Sequence, residues 1–209
     1  MLGSCVFIPI ERIAPSIADY ERGLARCRPA GEFVNDQRAM FTIVHCTETK
    51  REAIDSRAGE AALWFMNMAP HVFRVARANW VNLMRGAIGE GAASGLMLDG
   101  PEPPPSDEDL NDAVPAIALM NRQRAGHALD PEEVYAAIEP IDTVVIGDVA
   151  TCRRKLERLA AQGLDRLMCL MQFGPLPHEA AMRSLRLVGE RLLPEFHARP
   201  PRRRAGGPR

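Results

Sequence analysis

The sequence predicts an α/β fold: about half of a (β/α)8 TIM-type barrel, the C-terminal half, with parallel strands and a long helical insertion. Three observations predict it. Short apolar runs rich in Val, Ile and Phe alternate with amphipathic helical stretches. The last run, Arg166 to Gln172, empties through Phe-Gly-Pro-Leu-Pro into a helix. The chain has 209 residues, whereas a closed barrel needs eight strands and about 250 residues.

Gly3 to Ile10 reads as the first buried strand, followed by a helix whose stripe is Ile13, Ile17, Tyr20, Leu24 and Cys27. Arg38 to Cys46 is the second strand, rich in β-branched and aromatic residues. From Lys50 to about Met84 the composition is helical, with a break expected near Pro70. Gly86 to Asp107 is rich in Gly, Pro, Ser and Asp and reads as a mobile loop. Asp130 as N-cap, Pro131 at the first helical position and Glu133 two residues later predict a capping box opening a short helix. Residues 50–142 thus form the insertion.

Thr143 to Ile146 is a short strand leading to Asp148, which is placed to cap a helix bearing Val149, Cys152, Leu156 and Leu159; Gly163 ends it. The final helix carries Ala181, Leu185, Val188 and Leu192 on one stripe and is expected to stop at Pro194. Residues 1–196 form the main domain, and 197–209 read as a disordered Arg/Pro-rich tail.

The formal charge is -1, but five arginines fall in the last eleven residues, so the body is acidic. That excludes nucleic acid as the main partner, because phosphate binding needs a basic folded face. No run of apolar residues is long enough for a membrane span, and the N-terminus has no basic lead-in to its short apolar run. The five cysteines contain no CxxC pair and read as reduced core thiols of a cytoplasmic protein. His71 and His127 have no companion ligands at metal-binding spacing, and no metal is expected.

The stretch "VVIGDVATCRRKLERLAAQGLDRLMCLMQFGPLPHEAAMRSLRLVGERLLPEF" resembles bacterial-luciferase-like flavin-dependent monooxygenases. The likeness lies in the Gly-Asp helix start, the Gly-hydrophobic-Asp entry to the last strand, the Gly after that strand, and the closing helix with its Pro-acidic-Phe ending. Val149 stands where the family often has Pro. Weaker agreement extends upstream through "FTIVHCTETKREA" to the first strand, and the chain corresponds to the barrel from about its sixth strand onward.

The resemblance implies reduced FMN, delivered by a separate flavin reductase, acting with O2 on a small organic substrate of unknown identity. It also implies that the insertion serves as a lid. Phe7, Ile8 and Pro9 would pack against the flavin ring or else form ordinary core, and Gln172 and Gly174 would approach it from the last strand or else only make the turn that follows. His45 ends the second strand at the catalytic edge of such a barrel. It reads either as an acid/base or as a histidine held by loop backbone. Cys46 has no neighbour that argues for a reactive thiolate. Three alternatives stay open: a non-catalytic remnant, a split-barrel fragment needing its N-terminal half or a second copy, and a deazaflavin-dependent oxidoreductase. The loop "GEGAASG" lacks the strand and helix start of a phosphate cradle.

Overall fold

A computed structural model describes residues 2–28, 31–32, 34, 36–86 and 102–197. In chain order the elements are β1 (Leu2–Ser4), α1 (Ile13–Ala25), β2 (Ala39–Thr47), α2 (Lys50–Asp55), α3 (Ala58–Phe73), α4 (Arg77–Met84), α5 (Asp107–Leu110), α6 (Pro115–Arg124), α7 (Pro131–Ile138), β3 (Val145–Asp148), α8 (Val149–Ala161), β4 (Arg166–Leu170), α9 (His178–Leu187) and α10 (Leu193–His197). The loop expected at Gly86 to Asp107 lies mostly outside the described residues, as does the Arg/Pro-rich tail beyond His197.

The fold is α/β with a parallel sheet, and β2 is its hub. The first part of β2 pairs in parallel with β1, from Leu2↔Ala39 to Ser4↔Phe41, and with β4, from Ala39↔Arg166 to Ile43↔Leu170. Its last four residues pair with β3, from Val44↔Val145 to Thr47↔Asp148. Arg38 fixes the β4 register, since its backbone N–H and its guanidinium both donate to Asp165 Oδ2. Successive neighbours around a barrel would set β4 beside β3, whereas β4 lies beside β2. The parallel sheet expected from the sequence is therefore present, and the pairing does not show a barrel arc.

The sheet separates two apolar clusters. One joins Phe7, Ile43 and Phe173 to the helices of the insertion, including Leu63, Met66, Ile117 and Ile138. The other joins Ile13, Val44 and Cys46 to Cys152, Leu159 and Leu192. Both faces of β2 are covered, which explains its continuous apolar run.

Several elements differ from the sequence expectation. The first strand ends at Ser4 because the chain turns at Phe7, which is left-handed (φ 59°). Helix α3 runs through Pro70 and ends at Arg74, also left-handed (φ 53°). Proline in a last turn removes only one backbone bond, and the helix is held by packing on α6 and α7. Asp130 Oδ1 does accept the Glu132 N–H (2.9 Å), but Glu133 pairs with Arg122 (3.2 Å) instead of closing a capping box. Asp148 caps α8 as expected, accepting the Thr151 N–H at 2.8 Å.

The stripe of α9 is rotated from the expected one. Ala180, Ala181 and Ser184 are buried, and Leu185 is exposed. Small residues let this helix approach β2 closely, and a π-helical segment, Val188–Leu192, then shifts the phase so that Leu192 returns to the core. That segment carries the helix past Pro194. Cys5, Cys46 and Cys152 are buried free thiols, but Cys27 and Cys169 are exposed, so the core-thiol expectation fails for those two.

Gly174 (φ 54°) seats the turn after β4 against α3: a Cβ there would lie 2.9 Å from the Ala61 carbonyl oxygen. Gly174→Ala is expected to destabilise by about 2–3 kcal/mol, from left-handed strain plus the displaced backbone contact. Urea unfolding midpoints check it, and an unchanged midpoint would refute the contact.

Candidate functional site

A cleft of about 570 Å³ opens at the C-terminal end of β2. The strand delivers His45, Cys46 and Thr47 to its floor, α2 and the residues flanking it supply Glu48, Glu52, Asp55 and Ser56, and α9 with its N-cap supplies Pro177, Glu179, Ala180, Arg183 and Leu187. The carboxyl edge of a parallel sheet is where strand carbonyl ends, turns and helix starts converge, leaving room for a ligand.

Local chemistry positions each wall. Thr49 Oγ1 accepts the Glu52 N–H (3.2 Å), and Glu52 Oε2 accepts the Glu48 and Thr49 N–H groups (3.0 and 3.2 Å), a capping box that sets α2 at the rim. On the other side, the Cys46 N–H donates to Ser184 Oγ (2.8 Å), tying the strand end to α9. This bond replaces a ladder bond where β4 has already left β2.

His45 is 1% exposed, and both of its ring nitrogens lack a hydrogen-bond partner within the protein. Burial, with a smaller contribution from the Arg183 charge, lowers its pKa to about 4. The imidazole is therefore neutral at physiological pH and offers one N–H donor and one lone pair. Neither nitrogen is held by loop backbone, the alternative reading of this residue.

Cys46 and Cys152 form a buried pair beneath the floor. Cys152 Sγ donates to Gly147 O (3.5 Å) and His45 O (3.7 Å). Hydrogen bonding between the two sulfurs pulls the Cys46 pKa down and pushes that of Cys152 up.

The other residues singled out from the sequence stand apart from the cleft. Phe7 is enclosed in the core at 2% exposure. Ile8 and Pro9 are half-buried just beyond β1, with Ile8 O accepting from Thr143 Oγ1 (2.6 Å). The Gln172 amide donates to Leu176 O (2.7 Å), closing the turn that Gly174 makes against α3. Of the six candidate residues, only His45 lines the cleft. The carboxylates of α2 and the α9 pair Glu179 and Arg183 were missed. Their spacing of four does place them on one helix face, but nothing in the sequence says that this face looks across at α2.

The chain matches no protein-family model and no curated protein. Among the described residues, no helix is long and apolar enough to cross a membrane.

Proposed function

We propose that the chain serves a luciferase-like flavin-dependent monooxygenase, with the cleft on β2 receiving the organic substrate. The observation that carries this reading is His45, a neutral, buried imidazole without a partner, opening on a cleft at the carboxyl edge of a parallel sheet. The likeness of residues 144–196 to that family supports it. Here His45 exchanges a proton at a ring nitrogen with the bound substrate, while Pro177, Ala180 and Leu187 exclude water from its organic body.

FMN fits this chain only in part. Ile8 and Pro9 present apolar surface suited to a flavin ring, but Phe7, Gln172 and Gly174 are engaged in packing and turn contacts. The phosphate does not fit the cleft, where four carboxylates face one guanidinium. When bound, reduced FMN supplied by a reductase would provide the oxygen-activating chemistry. Titrating FMN into the purified chain is expected to give saturable quenching of flavin fluorescence in the micromolar range. Linear, unsaturable quenching would sink the reading.

A second reading has its own observation. β4 is apolar in sequence, yet Met168 is 39% exposed, Cys169 is exposed, and the strand pairs only with β2 among the described residues. An open apolar strand suits one part of a larger assembly, completed by a partner half or a second copy. A monodisperse monomer in sedimentation velocity would count against it.

A further inference from the structure

The cleft carries uncompensated charge of both signs. Glu52 is committed to its capping box and Asp55 to Arg51 (2.8 Å). Glu48 and Glu179 have no ion-pair partner among the described residues, and neither has Arg183. Exposed acids alone would mean little, but His45 lines the same cavity, buried and with both ring nitrogens unpartnered within the protein. A polar group of this kind left dry is costly unless a ligand or water satisfies it.

We propose that this cleft binds a zwitterionic small molecule, an α-amino acid or a close relative bearing one ammonium and one carboxylate. Its ammonium is taken by Glu48 and Glu179, its carboxylate by Arg183, and its side chain rests on Ala180 and Leu187. The neutral His45 ring accepts from, or donates to, whichever polar group lies over it. A ligand with a single charge leaves either the guanidinium or the carboxylates without a counterpart, so both ends are selected together. A phosphate ester meets the net negative wall. The inference rests on the reading that this cleft is the substrate side of the site.

Isothermal titration calorimetry with L-leucine and L-phenylalanine tests it, each compared with its methyl ester, which keeps only the ammonium, and its N-acetyl derivative, which keeps only the carboxylate. At least one free amino acid is expected to bind about fivefold or more tighter than both of its derivatives. Arg183→Gln should weaken the amino acid and the N-acetyl compound about fivefold and leave the ester unchanged. Glu48→Gln with Glu179→Gln should weaken the ester and spare the N-acetyl compound. A singly charged derivative that binds as tightly as its parent, or no binding by any of the six, overturns the proposal. FMN titration of the same samples separates the two readings. The expected order without flavin quenching upholds the ligand class and removes the flavin, whereas quenching with a flat order removes the ligand class alone.

Discussion

Lys155→Ala is expected to lower the unfolding free energy by about 3 kcal/mol, while Lys155→Met should stay within about 1 kcal/mol of the wild type. Lys155 is fully buried in α8, and its Nζ donates to the carbonyl oxygens of Val144 (2.7 Å), Ile141 (3.1 Å) and Ile138 (3.4 Å). The side chain pins the end of α7 and the turn before β3 to α8. Each of those carbonyls also accepts a backbone N–H, from Ile146, Val144 and Ile141 respectively. Methionine therefore orphans none of them and keeps the volume, whereas alanine leaves a cavity under the sheet. Burial lowers the lysine pKa from 10.5 to about 8, opposed by the Glu139 charge. Between pH 8 and 10.5 the unfolded chain binds a proton that the folded protein has released. Lys155 thus contributes a stability gain as pH rises through that window. Urea unfolding of wild type and the methionine variant at pH 7.5 and 10 checks both points: the gain should be absent from the variant, and an equal slope in the two would refute the burial cost.

The second large effect is at acid pH. The folded protein protonates His45 only near pH 4, whereas the unfolded chain does so near 6.5. As pH falls through this window the unfolded state binds the extra proton, so the His45 contribution to stability falls, by about 3 kcal/mol at pH 4 and below. His45→Leu removes the titrating ring together with two unpartnered nitrogens. It should match or exceed wild-type stability at pH 7, and it should lose less stability than the wild type between pH 6.5 and 4. Comparing the two proteins cancels the carboxylates that also titrate there. Parallel acid curves would mean that the imidazole reaches solvent in the folded state.

Much of this was legible from local chemistry. The four apolar runs became four strands, three of them within about two residues of the expected ends and the first cut short at Ser4, because a run of Val, Ile and Phe bounded by turn formers has few other ways to bury itself. Asp148 and Asp130 cap the helices they were expected to cap, since N-capping depends on groups two or three residues apart. His45 at the end of β2 was found for a similar reason. Lys155 could have been found too: it falls three residues after Cys152 and four before Leu159, on the buried stripe of α8, and a charge on such a stripe signals an internal partner. The α6 helix and the rotation of α9 were not expected. The apolar residues of α6 form one unbroken run, Ala116 to Met120, without a helical stripe, and the face that Ala180, Ala181 and Ser184 bury is set by how closely α9 must approach β2.

From its residues alone, then, this chain specified where the strands and several of the helices lie, how α7 and α8 begin, and that the sheet would be parallel, because these follow from periodicity and from hydrogen bonds that close over a few residues. Only the tertiary structure decided that β4 pairs with β2, that α9 turns Glu179 and Arg183 toward α2, and that His45 lies buried beside them without a hydrogen-bond partner in the protein. Those outcomes depend on contacts between segments up to about a hundred or more residues apart, whose free energy comes from shape and burial that no local pattern encodes.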